Sequence, residues 1–126
     1  MRKTVCTLGF SVALATLPAP AISSPWVNIG RNVYGSVYDV DWDSIRRDGS
    51  SVTFTLRVVY GTGTPPGKSD GYLAHRQANC AARTFVDLQT DYMKDGAVEN
   101  STGTEEERTA KAGTIAAAVL DKVCAR

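Results

Sequence analysis

Two cysteines constrain this chain more than any other feature: Cys80 and Cys124, far apart in sequence and without a C-x-x-C between them. The remaining cysteine, Cys6, lies in an N-terminal stretch that reads as a secretory signal. That stretch has a basic start (Arg2, Lys3), an apolar run from Val5 to Leu17 and the small-residue site Ala19-Pro20-Ala21. Cleavage after Ala21 removes residues 1–21, Cys6 among them, and leaves Ile22 to Arg126. Export places that piece in an oxidising compartment, where two cysteines in about a hundred residues are more often bonded than free. Closing a loop of this length contributes roughly 4 kcal/mol, so the pair reads as a structural staple rather than a redox couple.

Composition narrows the class further. The apolar run is interrupted by Thr7, Gly9, Ser11 and Thr16, whereas a spanning helix needs about twenty predominantly apolar residues. A bacterial lipid anchor needs its cysteine just after such a run, and Cys6 precedes most of it. The mature protein is therefore expected to be soluble, with no membrane span. Losing Arg2 and Lys3 takes the formal charge from +1 to −1, and a near-neutral domain argues against nucleic acid. A single domain over 22–126 accounts for the mature length, with no internal repeat.

Alternation defines the strands. Ser51 to Tyr60 is the clearest, with Val52, Phe54, Leu56 and Val58 facing one way and Thr53, Thr55 and Arg57 the other. Trp26 to Gly30 reads as a first strand and Val33 to Trp42 as a second, with Tyr34, Tyr38, Val40 and Trp42 on one side. A turn at Asp48-Gly49 precedes the clearest strand. Gly61 to Gly71 has no apolar residue except Pro65 and Pro66 and is expected as a long exposed loop. Tyr72 to Asn79 and Ala82 to Tyr92 form another pair, with Val86, Leu88 and Tyr92 sharing a face, and Ala97 to Ser101 follows a turn at Asp95-Gly96. Thr104-Glu105-Glu106-Glu107 matches a capping box and predicts a brief helix ended by Gly113. Thr114 is a second N-cap, opening a helix over Ile115 to Cys124. The expected class is α+β: a meandering antiparallel sheet of five or six strands, with the C-terminal helix packed on one face and stapled by Cys80 and Cys124.

The residues that suggest chemistry have plainer readings. Asp39, Asp41 and Asp43 alternate as calcium ligands do, but an EF-hand-type loop from Asp39 requires glycine where Ser44 stands and glutamate where Ser50 stands. They read as solvated strand carboxylates. His75 is the only histidine, so no histidine cluster holds zinc, and neither metal nor cofactor is expected. The hydroxyl of Ser69 sits in a Gly/Pro loop without a nucleophile-elbow sequence, so no enzyme is expected either. Trp26 and Trp42 are read as core residues ahead of interface or ligand-stacking ones. Phe85 shares the mostly polar side of its strand with Arg83, Asp87 and Gln89; it marks a partner surface or lies beneath a loop or second layer. Lys68 and Asp70 sit in the long loop, a common place for recognition. Lys68, Asp70 and Phe85 are thus the candidate binding surface.

With those residues in place, the chain from Trp26 to Cys124 resembles the surface-adhesin protein E-like family of small exported bacterial domains. The resemblance rests on Trp26-Val27, on Val37-Tyr38-Asp39-Val40-Asp41 and on Ser44-Ile45-Arg46-Arg47 leading to Asp48-Gly49. It continues through Asn79-Cys80-Ala81-Ala82-Arg83, Tyr92 and Gly96 to Gly113-Thr114 before a helix ending Val123-Cys124. It departs at Asn79, where an acid is expected before the cysteine, and at Glu105 to Arg108, where an aromatic is expected. The resemblance implies a sheet with a C-terminal helix and the same cysteine pairing. It also implies a non-catalytic interaction domain for host or envelope proteins, in the periplasm or on the surface of a Gram-negative bacterium. A homodimer is compatible with such a domain, and no contact residue is carried over. The alternatives are a periplasmic inhibitor or small-ligand carrier, by fold analogy alone, and, third, an exported hydrolase. Export is checked by mass spectrometry of the cell envelope. The expected chain begins within a few residues of Ile22, and recovery of only the intact Met1 form contradicts the signal reading.

Overall fold

A computed structural model of the chain describes residues 25–62 and 68–126, together with residue 9. Eight strands form one antiparallel sheet: β1 (Trp26–Arg31), β2 (Val37–Asp41), β3 (Arg46–Asp48), β4 (Ser51–Val59), β5 (Gly71–Asn79), β6 (Thr84–Lys94), β7 (Ala97–Thr102) and β8 (Arg108–Thr109). A single helix, α1 (Ile115–Cys124), follows. The sheet order is β1-β2-β4-β5-β6-β7, so each hairpin pairs beside the last. The count exceeds the five or six expected because two edges are interrupted. β2 and β3 pair successively along β4, separated by a 3-10 turn at Trp42–Ser44. Ser44 Oγ accepts the Thr55 amide at 2.8 Å, which satisfies a donor the broken ladder leaves over. β7 and β8 likewise share the outer edge of β6.

The inner face follows the β4 alternation: Val52, Phe54, Leu56 and Val58 are all buried, joined by Val40, Ala74, Ala78 and Phe85. Helix α1 closes this face with Ala117, Val119, Leu120 and Val123. Thr114 caps it as expected, its side chain accepting from the Ala117 amide at 3.3 Å. Gly30 admits the helix: a Cβ there would sit 3.0 Å from Ile115 Cδ1, tighter than ordinary packing. The Cys80–Cys124 bond ties the end of α1 to the end of β5, with Cα atoms 5.8 Å apart, inside the normal range. Arg47 reinforces that corner by donating to the carbonyls of Cys124 and Arg126, each at 3.0 Å.

Four expectations change. No helix forms at the Thr104 capping box; residues 103–107 run alongside β6, Glu105 N donating to Asp87 O at 2.9 Å and Thr104 Oγ1 to Leu88 O at 3.1 Å. Sheet-edge hydrogen bonds outweigh local helix preference there. Val33 and Tyr34 belong to a turn, not to the second strand, which starts at Val37. In β6, Leu88 is an extra residue where Arg76 pairs Asp87 and His75 pairs Gln89. This bulge flips the parity, so Tyr92 faces the same way as Phe85 and Asp87 rather than with Val86 and Leu88. Lastly, neither tryptophan joins the core; each is half-buried under an arginine, Trp26 under Arg57 and Trp42 under Arg126.

Phe85 is 6% exposed and therefore not part of a free surface. Its ring lies under Arg76 (4.2 Å) and Arg108 (5.0 Å). The buried Asp87 carboxylate bonds Arg76 twice, at 2.7 and 3.2 Å, and Arg108 at 3.0 Å. The polar side of the β6 pattern is thus a buried charge network lying against the aromatic core, which makes "polar" and "outward" different things at this strand. Replacing both Cys80 and Cys124 by serine is expected to lower unfolding free energy by about 2–5 kcal/mol in urea titrations of the oxidised and double-mutant proteins. Equal stability of the two contradicts the tether's role.

Candidate functional site

With α1 covering one face, the opposite face of the sheet is where side chains remain available. Cross-strand register sets its contents row by row. One row runs Val37, Val59, Gly71, Met93, Val98. The next runs Asp39, Arg57, Leu73, Asp91, Ser101. From β2 to β7 the first row is apolar, with Arg31 at its β1 end, and it has no side chain at its centre, because a Cβ at Gly71 would fall 2.0 Å from the Val58 carbonyl oxygen. Close approach of β5 to β4 therefore requires glycine, and the missing side chain leaves a notch of about 270 Å³ walled by Trp26, Arg57, Val59, Leu73 and Met93, with Asp70 at its rim.

The Trp26 wall is held from the neighbouring row, whose β1 member is Asn28. Arg57 places its guanidinium 4.2 Å from the indole centroid and pairs with Asp39 at 2.9 Å; Asn28 Nδ2 donates to the other Asp39 oxygen at 3.0 Å. Asp39 is consequently 8% exposed, a correction to its reading as a solvated carboxylate. Arg57 Nε is buried without a hydrogen-bond partner, so stacking on the indole is the main compensation for its lost hydration. Asp41 accepts from the Asp43 amide and caps the 3-10 turn. Among the described residues no group of three or more His, Cys, Asp or Glu is placed to hold a metal ion.

The expected loop residues divide. Asp70 belongs to the site: its backbone joins β4 to β6 (Tyr60 N to Asp70 O, 2.9 Å; Asp70 N to Met93 O, 2.7 Å), and its carboxylate accepts the Asp95 amide at 2.7 Å. Lys68 is exposed nearby and lies outside the notch lining. Residues 63–67 of the expected loop fall outside the described residues. Phe85 is on the inner face and takes no part. The residues missed by sequence reading are Leu73, Met93 and Val59. Their signal was the outward set of β4, β5 and the end of β6, which alternation marks as solvent-facing although it carries apolar side chains.

Beside the notch, His75 is half-exposed and meets Asp91 Oδ2 at 3.2 Å, while Gln89 and Ser101 each donate to Asp91 Oδ1 at 2.7 Å. The aspartate stands between the histidine and the serine, so this is not a nucleophile–base–acid arrangement: Ser101 gives its hydrogen bond to the carboxylate. Beneath the face, Tyr72 stacks between Tyr60 and Tyr92 with centroids 6.0 Å apart, and burial pushes its phenol well above the ordinary range. Hydrogen bonds from Gln89, then Ser101, and more weakly His75 hold the Asp91 carboxyl below its usual value. A lowered folded value means stabilisation that is present above the unfolded pKa, near 4, and lost as pH falls through the folded one. Asp91→Asn is expected to flatten the fall in melting temperature below about pH 4. An unchanged acid limb contradicts this account.

Among the described residues no helix is long and apolar enough to cross a membrane. The sequence model of the family described as surface-adhesin protein E matches residues 26–125. Solved structures with the same fold are those of protein E from Haemophilus influenzae. One crystal form is 20% identical, with a TM-score of 0.60, covering 86% of this chain and 94% of that one. Protein E from the non-typeable bacterium is 17% identical, with a TM-score of 0.56 and coverages of 86% and 81%. No curated protein is similar enough in sequence to count as a relative.

Proposed function

Because the chain belongs to the surface-adhesin protein E family, we propose that it is an exported, non-catalytic adhesion domain that captures a protein partner, host or envelope, on the outer face of its sheet. The observation that carries this reading is the notch over Gly71. Its volume, about 270 Å³, is at the small end of the roughly 300–1,000 Å³ usual for small-molecule and cofactor sites. It matches a single large side chain, the anchor around which protein interfaces concentrate their binding energy. Its walls are apolar, and its one cation, Arg57, is already committed to Asp39 and the Trp26 ring. That arrangement suits an apolar or aromatic anchor better than an anion.

Both sheet edges argue for the face over the edge as the docking surface. β1 carries an irregularity at Ile29 and β7 one at Glu99, and such bulges discourage addition of a further strand. The hydrolase loses support from the order of His75, Asp91 and Ser101. Leu73→Glu places a charge in the notch wall without touching the core. In pull-downs from envelope extract and host matrix, the unsubstituted protein should retain a partner that Leu73→Glu loses by about tenfold or more, the scale of one buried anchor. Melting temperature should stay within a few degrees. Equal capture by both proteins contradicts the notch as the site.

A further inference from the structure

The turn between β1 and β2 presents the two most exposed large hydrophobic residues among those described: Val33 at 93% and Tyr34 at 81%. They are adjacent, and their backbone is fixed. Asn32 Oδ1 accepts from the amides of Tyr34 and Ser36, each at 3.0 Å; Gly35 N donates to Asn32 O at 3.1 Å, and Asn32 N to Ser36 O at 3.0 Å. Gly61 buttresses the turn, since a Cβ there would lie 2.3 Å from the Tyr34 carbonyl oxygen. A rigid apex that has satisfied its own Tyr34, Gly35 and Ser36 amides loses little on leaving water, and hydrocarbon offers no partner to an amide that has not.

Three cations sit at this end of the sheet. Arg31 ends β1, Lys94 ends β6 and Lys68 sits just before β5, and none of them enters an ion pair among the described residues. The acids there are Asp70, whose carboxylate accepts from the Asp95 amide, Asp95 itself and Glu99 near the start of β7. We propose that this end of the molecule docks on an anionic phospholipid surface, with Val33 and Tyr34 entering the headgroup region and Arg31, Lys68 and Lys94 facing the lipid phosphates. Tyrosine suits that depth, with an apolar ring and a wet hydroxyl, and flanking cations add attraction that salt screens. A protein partner is the lesser fit, because the turn keeps its polar groups to itself and offers such a partner little to recognise.

The test uses protein purified from the cell envelope and vesicles of phosphatidylcholine, with or without about one third phosphatidylglycerol. In Tyr34→Trp, the added emission should shift to the blue and be quenched by brominated acyl chains on the anionic vesicles only, and this local signal reports the tip whatever the amino terminus does. Arg31→Gln with Lys68→Gln should weaken that signal several-fold, and raised salt should do the same. Fluorescence of Tyr34→Trp that is unchanged by anionic vesicles overturns the proposal. So does a tip whose substitution by Val33→Ser and Tyr34→Ser, at unchanged melting temperature, removes only capture of a protein partner.

Discussion

A ten-residue helix packs on the buried face of this sheet beside β1, and Cys124 at its end is bonded to Cys80. Burial of Val119, Leu120 and Val123 supplies the attraction, yet a helix this short is marginal alone and has no second helix to lean on. The bond restricts the unfolded chain instead, across a separation of 44 residues. With the inner face sealed in this way, the outer face is not needed for the core. Its rows are set by register alone and are free to carry Trp26, Leu73 and Met93 for another purpose.

The charge network around Asp87 performs the matching task at the far edge. Arg76 and Arg108 share that carboxylate across Phe85, so the segment after β7 is held by a half-exposed arginine on a buried carboxylate, alongside its backbone bonds to β6 and the buried Ala110. Breaking such a group by removing one partner costs far more than the group contributes against an apolar replacement. It specifies where residues 103–109 lie more than it stabilises them. Arg47 on the Cys124 and Arg126 carbonyls plays a comparable part at the end of the helix.

Local pattern made some of this legible. The β4 alternation, the Thr114 cap and the cysteine pair each depend on residues near one another in sequence or on compartment chemistry, and the structure has them all. What pattern concealed required tertiary context. The bulge at Leu88 reverses the faces of β6, and no periodicity marks an inserted residue. Phe85 could be read either as a partner surface or as covered by a second layer, and only the structure shows it covered: Asp87 beside it draws Arg76 and Arg108 over its ring. The capping box at Thr104 is locally sound and was overruled by a free sheet edge. The notch was hidden most deeply, since its walls come from β1, β4, β5 and β6, and its floor is the absence of a side chain at Gly71. Asn79, where the family pattern suggests an acid, accepts the Ala82 amide at 2.9 Å, a task that either residue type performs in a tight turn.

In the proposed adhesion the inner face of the sheet stays sealed while the outer face meets the partner. Oxidative side-chain footprinting of the protein, alone and saturated with a captured partner, tests this arrangement most directly. Trp26, Leu73 and Met93 should label readily in the free protein and become shielded in the complex, while Leu56 and Leu120 remain unlabelled in both. Shielding confined to the helix or to the Asn79–Arg83 turn, with Met93 and Leu73 labelled equally in both states, would contradict it.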